Sequence, residues 1–242
     1  MVIIEYILGS LFRVIFILLL LVFHPIQVIA YNLLGESAQQ KATHLLNGSI
    51  LLAFRIAGNR LSFNNSFELP HDKPSIIIAN HQSLWDIVGI YWYLRKTNPV
   101  FVSKIELAKG IPSISYNLRK SGAALINRKN RKQAIVEISK LGKKLEKEGR
   151  AGVIFAEGTR SKDGKVKQFN IGGISMLLNK SPDAIIIPLA ISGTSRMEAS
   201  KRYRINAFKK VNWTVLEPFS ATGLSAEDIA NRCETDIRKV VE

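Results

Sequence analysis

Residues 14–23, Val-Ile-Phe-Ile-Leu-Leu-Leu-Leu-Val-Phe, are apolar without a break, and the apolar character resumes after His24-Pro25 and runs to Leu34. Beyond it the pattern changes to short apolar runs alternating with amphipathic stretches. Residues 39–57 read as a helix with Ala42, Leu45, Leu46, Ile50 and Phe54 on one face. A short strand and turn follow over 61–70, then a buried strand over 75–80 and a helix over 83–94. Residues 100–102 and 123–126 read as strands, and two short helical pieces broken at Gly110-Ile111-Pro112 lie between them. Residues 131–148 form an amphipathic helix, with Ala134, Ile135, Ile138, Leu141 and Leu145 on one side and a stop at Gly149. Strands over 153–156, 184–191 and 211–216 and helices over 171–178 and 225–241 complete the series. Pro188 inside the 184–191 run predicts a sheet edge or a strand end. Strands that alternate with helices predict an α/β class: a largely parallel mixed sheet flanked by helices.

The N-terminal stretch fits three readings. Val14 to Leu34 is 21 residues, enough to span a bilayer, which takes about 20. The first reading is a membrane anchor, either one kinked span or two short helices dipping into one leaflet. Pro25 would break the helix there, because proline has no N–H and its ring clashes with the preceding turn. The apolar run contributes roughly −3 to −6 kcal/mol to insertion, and one Arg at the bilayer centre costs about 2.5–3.5 kcal/mol, so Arg13 belongs at an interface. The second reading is a cleaved signal peptide ending near Val28-Ile29-Ala30, against which stand a long n-region and Glu5. The third is a buried core helix. The anchor is preferred, dividing the chain into a membrane-associated helical segment (1–57) and an α/β domain (58–242).

Charge narrows the partners. The chain carries a formal net charge of +15, and from Ser103 to Phe169 it holds 17 Lys and Arg against 6 Asp and Glu. Such an excess fits a polyanion: nucleic acid, an anionic membrane face or a phosphorylated substrate. Cys233 is the only cysteine, which excludes an intramolecular disulfide and a cysteine metal cluster. No phosphate-binding glycine loop, dinucleotide fingerprint or metal-ligand spacing is present.

The candidate chemistry lies where the 75–80 strand ends in Asn80-His81-Gln82-Ser83-Leu84-Trp85-Asp86. In a continuous helix, His81 and Asp86 would point about 140° apart. Across a strand-to-helix turn the imidazole can instead lie over the first helical turn with Nδ1–H toward the carboxylate. A His held in this way is a general base for a hydroxyl. Ser83 and Asp86 also fit a capping box, so the acid has a stabilising role whether or not chemistry occurs. Arg128 and Arg160 each follow a predicted strand, where the carboxyl edge of a sheet would present them to a shared cleft. Two converging arginines suit a phosphate monoester, although either alone also reads as a surface charge.

Together these pieces resemble the glycerolipid acyltransferase family. Asn80-His81-Gln82-Ser83-Leu84-Trp85-Asp86 resembles its first block, a His followed by four residues and an Asp. Residues 122–128, Gly-Ala-Ala-Leu-Ile-Asn-Arg, resemble its second block. Residues 155–161, Phe-Ala-Glu-Gly-Thr-Arg-Ser, resemble its third, and residues 187–194, Ile-Pro-Leu-Ala-Ile-Ser-Gly-Thr, its fourth. The chain departs at Ala156, where the family usually has Pro, at Asn127, often Asp, and at Asn170, often Lys.

The resemblance implies transfer of an acyl group from acyl-CoA or acyl-carrier protein to the sn-2 hydroxyl of lysophosphatidic acid. His81 and Asp86 would be the catalytic pair. Arg128 and Arg160, with Lys104 by family position, would bind the acceptor phosphate. Glu157, Gly158 and Thr159 would order their loop or hold the glycerol. The thioester supplies the driving force, so no metal or bound cofactor is expected. The expected place is an anionic membrane surface, on the cytoplasmic face of a bacterial inner membrane. An acyltransferase for another lysolipid is the alternative. A non-enzymatic basic protein that binds membranes or nucleic acid is remoter, because the charge lacks interleaved aromatics, and no nucleic-acid partner is expected.

Overall fold

The computed structural model describes residues 2–199 and 203–242. Helices α1 (Val2–Leu34) and α2 (Glu36–Ile56) come first. The strands are β1 (Arg60–Asn64), β2 (Ser75–Ala79), β3 (Val100–Lys104), β4 (Ala124–Ile126), β5 (Ala151–Phe155), β6 (Ile185–Ser192), β7 (Lys210–Val215) and β8 (Phe219–Ser220). The later helices are α3 (Asp86–Tyr93), α4 (Ile114–Lys120), α5 (Arg131–Glu148), α6 (Ile171–Leu178), α7 (Thr194–Met197) and α8 (Ala226–Val241).

The strand order is β1-β7-β6-β2-β5-β3-β4, with β8 also paired to β6. The run β6-β2-β5-β3-β4 is parallel, while β7 and β8 lie antiparallel to β6. This is the expected largely parallel mixed sheet. Its centre is β2, buried at all five positions, as a strand covered on both faces must be. Alternation sends Ile77 and Ala79 into the core under α1, α2 and α3, and Ile76 and Ile78 into the core under α5, α6 and α8. All five parallel strands therefore present their carboxyl ends on one edge.

Local chemistry sets the helix ends. The Asn130 side chain accepts the Gln133 N–H and opens α5; Gly149, at φ 62°, closes it. A Cβ on Gly149 would fall 2.5 Å from the Asp72 carbonyl oxygen, so the position needs both the left-handed backbone and the empty space. Ser225 and Asp228 complete a capping box at the start of α8.

Four local expectations change. First, α1 runs through Pro25 without a break. Nearby, the Ser113 hydroxyl donates to the Leu20 carbonyl at 2.7 Å and the Ser113 N–H to His24 Nδ1 at 3.2 Å. Outside groups thus supply hydrogen bonds beside the proline. Second, Pro188 lies in an interior strand. It sits opposite the gap between β7, which ends at Val215, and β8, which begins at Phe219. No ladder bond is needed there, and its carbonyl takes the Leu216 N–H at 3.0 Å. Third, Leu45 is exposed on α2, as is Ile135 on α5. The buried face of α2 keeps Ala42, Leu46, Ile50 and Phe54 and adds the polar Gln39, Thr43 and Asn47. Gln39 Nε2 donates to Asn117 Oδ1 at 3.0 Å, and Asn117 Nδ2 to the Tyr91 hydroxyl at 2.8 Å. Fourth, α3 begins at Asp86 rather than Ser83. Only the carboxylate half of the expected capping box forms, and the Ser83 hydroxyl accepts the Trp85 N–H.

Helix α1 buries Gly9, Phe12, Phe16, Leu20 and Gln27. The rings of Phe12, Phe16 and Phe54 meet Trp85 edge-on, with centroids 5.2, 5.2 and 5.4 Å away. Helices α1 and α2 therefore share a core with the sheet. Another face of α1 exposes Val14, Ile17, Leu18, Leu21 and Val22.

Candidate active site

Parallel pairing brings two loops together. Ala79 lies opposite Phe155 in the ladder, so the chains leave β2 and β5 at the same level. The Ala156 N–H then donates to the Ala79 carbonyl at 3.2 Å. One residue on, the His81 N–H donates to Glu157 Oε1 at 2.9 Å, and the His81 carbonyl accepts the Ser161 N–H at 2.7 Å. Asn80 fastens the other side. Its side chain exchanges two 2.8 Å bonds with the Ile191 backbone on β6, extending the ladder past the end of β2.

The His81 ring is held from two directions. Nδ1 lies 2.8 Å from Asp86 Oδ2, and the ring stacks on Phe155 with centroids 4.0 Å apart and planes 16° apart. The Asp86 side chain is fully buried, while that of His81 is 14% exposed. Asp86 Oδ2 also accepts the N–H groups of Gln82 (2.7 Å) and Ser83 (2.9 Å), and Oδ1 accepts the Thr194 hydroxyl. These donors replace the water lost on burial. An ionised carboxylate only accepts, so Nδ1 carries the hydrogen and Nε2 is the basic nitrogen left for another group.

Glu157 is buried, and burial pushes its carboxyl up to about 7 against the opposing pull of the His81 and Lys167 amides. Its Oε2 is buried with no hydrogen-bond partner among the described residues. Gly158 follows at φ 69°. Asn170 Nδ2 donates at 3.2 Å to the carbonyls of Ala156 and Glu157 and so braces this turn.

The cations gather on the same edge. Lys104 ends β3 and lies opposite Ile126 in the ladder, two residues before Arg128. Burial lowers the Arg128 pKa and the positive charge of Arg160 acts in the same direction, against Glu106. Arg160 Nη1 is also 2.9 Å from Glu198 Oε1. Lys167 Nζ donates to the Arg160 carbonyl at 2.8 Å and to the Thr159 hydroxyl at 3.3 Å. Among the described residues no three His, Cys, Asp or Glu side chains are grouped to hold a metal ion.

A family profile described as Acyltransferase matches residues 60–192. The chain belongs to the acyltransferase family. It is 29% identical over 183 residues to a probable 1-acyl-sn-glycerol-3-phosphate acyltransferase of Mycoplasma genitalium, covering 70% of this chain and 65% of the relative. It is 25% identical over 180 residues to 1-acyl-sn-glycerol-3-phosphate acyltransferase alpha of Mus musculus, covering 74% and 62%. The chain thus spans a little under two thirds of the length of these relatives. Among solved structures, the 1-acyl-sn-glycerophosphate acyltransferase of Thermotoga maritima shares the fold, with a TM-score of 0.81 at 24% identity, covering 98% of this chain and 94% of that one.

The expected site residues of this chain fall into three groups. His81, Asp86 and Glu157 are in one hydrogen-bonded unit. Arg128, Arg160 and Lys104 stand at neighbouring strand ends. Thr159 is turned to Lys167. Four contacts were missed: Thr194 and Gln82 on Asp86, Phe155 beneath His81, and Glu198 on Arg160. Thr194 and Phe155 lie inside the blocks quoted above, at their ends, and that is the only signal the sequence carried for them.

Proposed function

We propose that this chain transfers a fatty acyl group from acyl-CoA or acyl-carrier protein to the sn-2 hydroxyl of 1-acyl-sn-glycerol 3-phosphate. The observation that carries the reading is the 2.8 Å bond between His81 Nδ1 and the buried Asp86, which leaves Nε2 as base. Nε2 takes the proton of the acceptor hydroxyl as its oxygen attacks the thioester carbonyl. The carbon–sulfur bond then breaks, and the thiolate recovers the proton from His81. Asp86 holds the imidazole in one tautomer and stabilises its cation. Thioester cleavage drives the transfer, so the reading assigns no metal or bound cofactor.

Arg128, Lys104 and Arg160 hold the acceptor phosphate in this reading. Glu157 fixes the backbone of His81 through its Oε1, and Gly158 and Thr159 shape the loop. Helix α1 supports a membrane location. By length and composition it is the one helix among the described residues fit to cross a bilayer, and much of its apolar surface is exposed. We place it at the cytoplasmic face of the inner membrane, where basic residues meet anionic lipid.

A second reading is an acceptor with a phosphodiester. The Arg160–Glu198 pair favours it, because Glu198 already neutralises one cation of the site. The test is His81→Ala, purified in detergent and assayed with lysophosphatidic acid and with phosphodiester lysolipids. The expected loss is about 100- to 10,000-fold. Near wild-type turnover would sink the mechanism, and preference for a phosphodiester acceptor would select the second reading.

A further inference from the structure

On a face of α1 other than the one packed on Trp85, a cleft of about 340 Å³ opens between Tyr6, Ser10, Arg13, Val14 and Ile17 on the helix and Arg204 opposite. It exists because the chain crosses α1 at very short range. A Cβ on Gly9 would fall 2.0 Å from the Ile205 carbonyl oxygen. With no side chain there, the backbone lies on the helix, and the Arg204 guanidinium reaches over the Tyr6 ring, 4.6 Å from its centroid.

The cleft holds two guanidinium groups and no carboxylate. Glu5, the only acid of α1, is 3.5 Å from Lys209. Arg13 is exposed and makes no ion pair or hydrogen bond among the described residues. Arg204 Nε is buried and has no partner among them. Val14 and Ile17, exposed neighbours of Arg13 on the helix surface, form an apolar stripe beside it. An arginine in such a stripe, placed against lipid, calls for an anion.

We propose that this cleft binds the phosphate of an anionic bilayer phospholipid. The proposal rests on the membrane association stated above. Arg13 and Arg204 hold the phosphate from two sides, since guanidinium matches phosphate oxygens in pairs. The Ser10 hydroxyl adds a donor, and Val14 and Ile17 continue the apolar wall along the lipid. The cleft is lined by α1 and Arg204 and by neither Arg128 nor Arg160. In this proposal it is a second anion site, joined to the first through the pairing of the Arg204 segment with Glu198, the partner of Arg160.

The experiment measures binding of the full chain to vesicles of phosphatidylcholine alone and of phosphatidylcholine with phosphatidylglycerol. Arg13→Gln/Arg204→Gln is compared with Lys73→Gln/Lys180→Gln, which removes the same charge from exposed positions at the opposite, amino edge of the sheet. The expected result is a roughly 10- to 30-fold loss of affinity for phosphatidylglycerol vesicles in the first pair and less than about 3-fold in the second. Arg13→Gln alone, at an exposed position, shows part of the loss and guards against a folding defect. Turnover with a monomeric short-chain acceptor stays unchanged. Equal losses in the two pairs, or none, would overturn the site. A wild-type chain that binds neither vesicle would overturn the membrane reading itself.

Discussion

The hydroxyl of Thr194 donates to Asp86 Oδ1, while the other oxygen of the same carboxylate holds His81 Nδ1 at 2.8 Å. The two residues are 108 apart in sequence and meet because β6 lies beside β2. Thr194→Val keeps the volume and removes the donor. A buried carboxylate oxygen then lacks a partner, at a cost of about 1–3 kcal/mol. If His81 acts as base, the cost appears in kcat, which falls about 10-fold with little change in acceptor KM. Thr194→Ser restores most of it. Steady-state kinetics of the two variants check the relationship.

Glu157 sets a pH dependence of opposite sign to an ordinary ion-paired acid. Its pKa is about 7 in the fold against 4.5 for a free side chain. The folded state therefore binds this proton more tightly than the unfolded state. The resulting stability is fully present below about 4.5, is lost as the pH rises toward 7, and stays lost above it. Its size is at most about 3 kcal/mol. Glu157→Gln has no such titration. Thermal midpoints across this range should fall more steeply for the wild-type chain than for the variant, and parallel curves would exclude Glu157 as the source.

Local signals were readable where a few neighbouring residues decide the outcome. The helix over 131–148 matches α5 at both ends because an apolar stripe, a cap and a glycine all agree. The His81–Asp86 pair was readable because both residues flank one strand-to-helix turn. Pairings across the sheet were not. Nothing near Pro188 in sequence tells that its neighbour strands break opposite it, so a central strand reads as an edge. Leu45 looked like a core residue by periodicity, yet Gln39 and Thr43 face inward beside Ala42 and Leu46, where both bond to Asn117, on a helix far along the chain. The partners of Asp86, Arg160 and His81 escaped for the same reason: Thr194 and Glu198 arrive from α7 and its end, and Phe155 from β5.

Arg160 and Glu198 are 2.9 Å apart, and both side chains are partly exposed, 44% and 32%. A pair of this kind contributes about 0–1 kcal/mol. If Arg160 binds the acceptor phosphate, that phosphate must compete with Glu198. Glu198→Gln should then lower acceptor KM by about 2- to 5-fold at unchanged kcat. Arg160→Gln should raise KM and abolish the effect of Glu198→Gln in the double variant. Additive effects in this cycle would mean that the two residues act independently.

The loop that follows Arg160 is fastened by one face of α8. Glu234 Oε2 accepts the Phe169 N–H at 2.8 Å, and Glu242 Oε1 accepts the Val166 N–H at 2.9 Å. Arg238 stands between the two acids and binds each at 2.9 Å. Lys167 lies between the two anchored amides and reaches back to the Arg160 carbonyl. The ladder Glu234-Arg238-Glu242 thus transmits the position of α8 to the loop bearing Arg160. Glu234→Ala removes one acceptor and frees Arg238 from one partner. Hydrogen exchange at the Phe169 amide should accelerate about 10-fold, as loss of a charge-assisted bond of about 1.5 kcal/mol implies. Acceptor KM should rise more than kcat falls, because the loop holds the acceptor rather than His81. A drop in kcat alone, with the Phe169 amide unchanged, would show that α8 does not position this loop.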